Sequence, residues 1–258
     1  MGRAIALGLA RAGAHVAIGS LVEGGDLPSA AYAARPSSAE MEAVAQAIRA
    51  EGVRAFAAPL DLRDDKNVDR FHVEAVATLG PIDLLINAAG VSAQEPIVGH
   101  SDETWMQVLD INLNGPYRTI KRCWPAMQDR RFGRIINIAS TAADIGFPRY
   151  AAYCASKTAL LGLTRCVALE GAEYGISCNA INPGSVGTEM MRLGSLRRIA
   201  QGGQGDTVDE NFKRVAETMP QGRLITPEQV AAAAVYLCSD EAFGITGEAL
   251  TISGGALW

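Results

Sequence analysis

An α/β fold is what this sequence predicts, and three observations predict it. Segments of helical periodicity alternate with short apolar, β-branched runs along most of the chain. Small or polar residues close several of those runs: Asp61, Asn87, Ser140 and Asn182. Finally, 258 residues suffice for one large domain over 1–258, and no Pro/Ser linker or repeat divides them.

Composition excludes several roles. The formal charge is -5, without a basic run, which argues against nucleic acid or an anionic membrane surface as main partner. No apolar run reaches ~18 residues and no signal-peptide pattern opens the chain, so a cytoplasmic protein without a membrane partner is expected. Five Cys without a C-x-x-C fit buried free thiols. The three His (15, 72, 100) lack ligand spacing, so no metal site is expected.

Residues 2–12 carry an amphipathic helical pattern closed by Gly13, and 14–19 read as a strand, so the chain opens inside a βαβ unit. A long Gly/Pro/Ala-rich loop follows over 20–39. Ser38 is expected to begin a helix over 39–50, and 54–60 to form a strand running into Asp61-Leu62, where Asp61 can serve as a local cap. A helix over 65–78 precedes a buried strand over 82–86 that ends in Asn87-Ala88-Ala89-Gly90. Small residues there admit a ligand close to the backbone. Ser101 is the expected cap of a long helix to about 127, with Asp102 and Glu103 in the first turn where the helix dipole favours acids. Ile135, Ile136 and Ile138 form a short strand ended by Ser140, and 150–170 an Ala-rich helix. The strand over 176–181 leads into Asn182-Pro183-Gly184-Ser185-Val186-Gly187-Thr188. Residues 189–222 interleave Met190, Met191 and Leu193 with Arg192, Arg197 and Arg198, the pattern expected of a mobile lid over a substrate. Within it, Gly202-Gly203-Gln204-Gly205 follows no strand and reads as a hinge. Thr226-Pro227-Glu228-Gln229 is a capping box with Pro at the first helical position and opens a helix to about 239; 248–252 is the last strand.

Chemistry concentrates around Tyr153 and Lys157. Four residues apart on one helix, they share a face and can touch. A free phenol titrates near ~10, and bringing it to about 7 requires roughly 4 kcal/mol. An ammonium ~4 Å away at an effective dielectric of ~20 supplies about that much. Tyr117 and Lys121 repeat the spacing, so spacing alone decides nothing. Only Tyr153, however, is ringed by small residues (Ala151, Ala152, Ala155, Ser156) and preceded by a strand-end Ser, whereas Tyr117 reads as packing. Hydrolysis by Ser140 is disfavoured, because no His stands where a triad needs one.

Ser140, Tyr153 and Lys157, together with Asn87-Ala88-Ala89-Gly90, Asn112 and Pro183-Gly184 in that order, resemble the short-chain dehydrogenase/reductase family over essentially the whole chain. The resemblance implies a three-layer, doubly wound, Rossmann-like parallel sheet with helices on both faces and a nicotinamide cofactor, NAD or NADP. It also implies transfer of a hydride to or from a secondary alcohol or ketone, and a homotetramer. Asn112 would anchor a water that links Lys157 to solvent. Asn114 competes for that role, and Asn112 as a mere helix-bending residue is the bland alternative. By the same likeness Asp61 and the Leu62 backbone meet adenine, Asn87 to Gly90 lie beside the adenosine half, and Val186 and Thr188 hold the carboxamide and a phosphate. Glu23 or Asp26 for a ribose hydroxyl, or Arg35 for a 2′-phosphate, leave the choice of cofactor open, since Ser20 stands where family members place the deciding residue. Gln94, Glu95, Ile145, Phe147 and Arg149 are expected to line a pocket for a partly apolar substrate bearing a polar or anionic group.

The beginning of the sequence departs from the family, in which a strand and a T-G-x-x-x-G-x-G turn precede the first helix. Here only Gly2 matches, as the last glycine, and Met1 fits the variable position before it, so the numbering is expected to start at an internal Met. A sheet without that central strand leaves two neighbours with unpaired backbone, and abnormal dinucleotide binding is expected of the chain as written. The rival reading is a nucleotide-binding regulatory protein that kept the scaffold and lost turnover.

Overall fold

The computed structural model describes residues 1–22, 24, 26–27, 31–200, 202 and 207–256. Strands β1 (Val16–Ser20), β3 (Ala55–Pro59), β4 (Leu84–Asn87), β6 (Gly133–Ile138), β7 (Ile176–Pro183) and β8 (Ala249–Ile252) run parallel. Helices α1 (Gly2–Arg11), α2 (Ser38–Ala50) and α9 (Pro227–Cys238) pack together on one side; α3 (Asp65–Leu79), α5 (Gly115–Arg130) and α6 (Ala151–Gly171) cover the other. The three layers expected of a doubly wound fold are therefore present.

The sheet is divided in two. One ladder pairs β1 with β3, the other runs β4-β6-β7-β8, and among the described residues no strand bridges β1 and β4. Val16 N–H donates to the Arg54 carbonyl. By strand alternation, Ala17 and Gly19 turn their backbone groups toward the open side. Side chains rather than ladder bonds join the halves: Ile5 and Leu9 of α1 share one core with Val16, Ile48, Ile136, Ile138, Ile181, Val230 and Leu237. Ile135 points the other way and packs with Ile120, Met127, Val167 and Ile176, as a period of two requires. Each such fully buried side chain contributes about 1.5–3 kcal/mol.

Local structure corrects several boundaries. Ser37, not Ser38, caps α2, closing a box with Glu40 in which the Ser37 hydroxyl accepts from Glu40 N–H. The long helix expected from Ser101 is instead α4 (Asp102–Leu109), a π-helical segment (Asp110–Asn114) and α5. Asp61 does not cap α3; Asp64 does, and Asp61 closes the turn before it by accepting from Arg63 N–H at 3.0 Å. Tyr117, read as packing, is 51% exposed. The stretch expected to form a lid contains α7 (Glu189–Ala200) and α8 (Val208–Thr218); Gly203, Gln204 and Gly205 of the expected hinge lie outside the described residues, as does Glu23. A ribbon without sequence signal, β2 (Ala31–Tyr32) antiparallel to β5 (Ser92–Ala93), carries part of the 20–39 loop to the carboxyl ends of the strands.

Candidate active site

Sequence brings Ser140 and Tyr153 together by two simple devices. Strand β6 ends at Ile138, after which Ser140 caps a short 3-10 turn, its hydroxyl oxygen accepting from Ala142 N–H at 3.1 Å. Tyr153 sits in the first turn of α6, whose small residues Ala152 and Ser156 are fully buried and let the helix lie close to the sheet. The Ser140 hydroxyl stands close enough to the Tyr153 phenol to act on it, and both line one cavity of about 340 Å³.

Lys157 Nζ donates to the Ile138 carbonyl at 2.8 Å and stands 5.8 Å from the Tyr153 ring centroid. This corrects the expected electrostatics. Burial pushes the phenol above its ordinary value, with the Ser140 hydrogen bond acting the other way, and burial also pushes the Lys157 ammonium down to about 8. The ammonium spends one of its donors on a strand-end carbonyl while standing beside the ring.

Asn112 is completely buried within the π-helical segment. Its carboxamide accepts from Val91 N–H at 2.9 Å and donates to the Val91 carbonyl at 2.9 Å and to Ser156 Oγ at 3.0 Å. Ser156 in turn donates to the Tyr153 carbonyl at 2.7 Å. The competing Asn114 bonds locally to Asp110. The extra residue per turn of a π segment re-aims one side chain inward, and here it aims Asn112.

Nearby residues allow the fit of a dinucleotide to be judged. A Cβ at Gly90 would come 3.5 Å from Lys157 Nζ and 3.3 Å from Asn112 Oδ1, so glycine keeps open the space beside the ammonium. Met1, Pro183, Gly184, Val186 and Thr188 line the same cavity as Ser140 and Tyr153. Gly184 is fixed by packing as well, since a Cβ would meet Ser253 Cα at 3.1 Å. Gly2 begins α1, its Cβ position 3.7 Å from Ala88, and the helix N-terminus carries no side-chain cap, so its N–H groups suit a phosphate. Asn87 donates to Asn137 at 2.9 Å and accepts from Thr119 at 2.7 Å; Ala89 follows in the same turn. Leu62 packs beside Gly115, while the Asp61 carboxylate is bound by Arg63 at 2.7 Å, which holds it below the usual carboxylate range. These residues fit a nicotinamide dinucleotide laid along the carboxyl ends of the strands.

The expected substrate pocket changes its lining. Of Gln94, Glu95, Ile145, Phe147 and Arg149, only Gln94 faces the cavity; Ile145 and Phe147 are each 43% exposed. Tyr32, Tyr150 and Arg198 line it instead. Tyr150 had a signal, being one helical turn before Tyr153, whereas Tyr32 and Arg198 meet only through the tertiary fold. Among the described residues no cluster of potential metal ligands exists, and no helix is long and apolar enough to cross a membrane.

A family model described as "Enoyl-(Acyl carrier protein) reductase" matches residues 1–256. The 2,3-dihydro-2,3-dihydroxybenzoate dehydrogenase of Bacillus subtilis is 33% identical over 256 residues, 99% of this chain and 91% of that protein. A 3-oxoacyl-(acyl-carrier-protein) reductase of Staphylococcus aureus is 32% identical over 255 residues, 99% and 93% of the two chains. Among solved structures, a tryptophan variant of actinorhodin polyketide ketoreductase with NADPH superposes with a TM-score of 0.87 at 32% identity, covering 99% of this chain and 92% of that one.

Proposed function

Because the chain belongs to the short-chain dehydrogenase/reductase family, we infer how its own side chains divide the work of an NAD(P)-dependent oxidoreductase. The protein transfers a hydride between a nicotinamide cofactor, NAD or NADP, and a secondary alcohol or ketone. The three relatives described above are all named as reductases or dehydrogenases, which gives the rival regulatory reading no support.

The single observation that carries the assignment of residues is the Ser140–Tyr153 hydroxyl pair in the cavity, with Lys157 beside the ring. Tyr153 Oη gives its proton to the forming alkoxide in reduction and takes it back in oxidation. Ser140 Oγ donates to the same substrate oxygen and stabilises its developing charge. Lys157 holds positive charge beneath the phenol and reaches the nicotinamide ribose. When bound, the nicotinamide supplies the hydride donor or acceptor carbon. Gly2, Asn87, Ala88, Ala89 and Gly90 face the adenosine and pyrophosphate side, with Asp61 and Leu62 at the adenine. Pro183, Gly184, Val186 and Thr188 face the nicotinamide. Asn112 fixes the Val91 turn and the Ser156 hydroxyl behind Tyr153. Helices α7 and α8 form the substrate lid of a single domain.

Tyr153→Phe tests this directly. Steady-state turnover should fall at least about a hundredfold while the nucleotide still binds, as measured by fluorescence titration; turnover near the native rate would refute the role of the phenol.

A homo-oligomer, a tetramer by family likeness, is supported by exposed apolar side chains on two separate faces. Met106, Tyr117 and Leu169 lie on the α4 to α6 side, and Tyr236, Phe243 and Leu250 near α9 and β8. A cytoplasmic location accords with the absence of a membrane-crossing helix among the described residues.

A further inference from the structure

We propose that Asp144 is a positioning residue for Ser140: its carboxylate, held by the Asn182 side chain near the end of β7, fixes the turn that aims the Ser140 hydroxyl at the substrate oxygen. The proposal rests on the hydride-transfer reading above and deepens it by adding a residue that acts through Ser140.

Ser140 lies just past the end of β6, where the ladder no longer dictates the backbone. The last bond from that segment to β7 runs from Ala139 N–H to the Ile181 carbonyl at 2.8 Å. Beyond Ser140 comes a 3-10 turn of three residues, Thr141–Ala143. Ala142 N–H donates to Ser140 Oγ at 3.1 Å, Ala143 N–H to the Ser140 carbonyl at 2.9 Å, and Asp144 N–H to the Thr141 carbonyl at 3.0 Å. So short a 3-10 piece, with eclipsed side chains and poor hydrogen-bond geometry, has little stability of its own. What holds its far end therefore decides where Ser140 points.

Asp144 stands at that far end. Asn182 Nδ2 donates to Asp144 Oδ2 at 2.9 Å, joining residues 38 apart in sequence. Asn182 directly follows Ile181, so Ser140 is bracketed by two ties to adjacent residues of β7, a backbone bond before it and a side-chain bond after it. Asn182 is 1% exposed, and its Oδ1 has no partner among the described residues, so the bond to Asp144 orients the amide. Asp144 is exposed and brings a carboxylate, a strong acceptor, to that buried donor. A further tie, from Thr158 Oγ1 to the Ala143 carbonyl at 3.0 Å, joins the turn to α6, the helix that carries Tyr153. Asp144 is not among the described residues that line the cavity, which places it behind Ser140 rather than against the substrate.

A double-mutant cycle on the full chain tests this, with reduction of cyclohexanone, acetophenone and ethyl acetoacetate followed at saturating NADPH or NADH. Asp144→Ala should lower kcat about tenfold to a hundredfold, the scale on which a misplaced reacting group costs rate, while KM for the nucleotide stays within about threefold. Asp144→Asn keeps an oxygen that accepts from Asn182 and should restore kcat to within about threefold of native. In a Ser140→Ala background, Asp144→Ala should cost less than about twofold more, because the group it positions is gone. Amide hydrogen exchange, which needs no substrate, should run at least about tenfold faster at Ala142 and Ala143 in Asp144→Ala than in the native protein or in Asp144→Asn. Native kcat in Asp144→Ala, no rescue by Asp144→Asn, unchanged exchange, or an equal loss with and without the Ser140 hydroxyl overturns the proposal and leaves the oxidoreductase reading standing. A native protein that reduces none of the three ketones with either nucleotide counts against the hydride-transfer reading instead, and the exchange rates then decide alone whether Asp144 holds the turn.

Discussion

Lys157 is enclosed on every side, and its ammonium is held below its ordinary value of 10.5, at about 8, by that burial. Below pH 8 the folded protein therefore bears the whole cost of an enclosed charge. Between pH 8 and 10.5 the unfolded chain still binds a proton that the folded one has released, so this group makes stability rise with pH. Buried Cys123 and Cys178 and half-buried Cys238, each pushed up to about 12, tilt stability the other way above pH 9. The comparison of Lys157→Met with the native protein cancels those thiols. Urea unfolding should show the variant's advantage shrinking by about 2 kcal/mol between pH 7 and 9.5; a difference that stays constant would mean that Lys157 is not desolvated. At this scale the sequence named candidate residues but not their energetics. Tyr153 and Lys157 are four apart and visible in any reading, whereas the Ile138 carbonyl that takes the ammonium lies 19 residues away and meets it only after the strand and helix have packed. Arg198 and Tyr32 were illegible for the same reason: the ribbon contact near them spans 166 residues.

Helices were read well where local chemistry sets them and poorly where tertiary contacts do. The Thr226 capping box with Pro227 at the first helical position appears where the sequence put it. The Ser37 box differs by one residue, because adjacent serines compete for one cap. The interruption at Asp110–Asn114 had no local cause in composition. Asn112 gains three hydrogen bonds inside the protein by being turned inward, and those partners compensate the irregular turn. Asn112→Ala should therefore leave the Val91 N–H and carbonyl without side-chain partners and lower the unfolding free energy by about 2–4 kcal/mol, measured by chemical denaturation. Turnover should fall with it, because Ser156 behind Tyr153 loses its donor. A variant as stable as the native protein would show that the π segment needs no anchor.

Across the whole molecule, the three layers were expected from the family resemblance, and among the described residues the sheet is divided in two. A doubly wound sheet with its middle position open must present two unpaired edges, and β1 and β4 do so. Amide hydrogen exchange offers a direct check. Ala17 and Gly19 on β1, and Leu84 and Ile86 on β4, should exchange at least about tenfold faster than the alternate residues whose N–H groups point into a ladder. Uniform protection along both strands would show that the slot is closed.

Helix α1 is one piece that spans this divide, its Ile5 and Leu9 sharing a core with isoleucines of β6 and β7 while its neighbours α2 and β1 sit on the far side. On the opposite layer the join is charged instead, with Arg122 of α5 reaching Asp65 and Asp69 of α3 at 2.8 and 2.7 Å. One face of the join is thus apolar and the other ionic, so added salt loosens the second while leaving the first as it is.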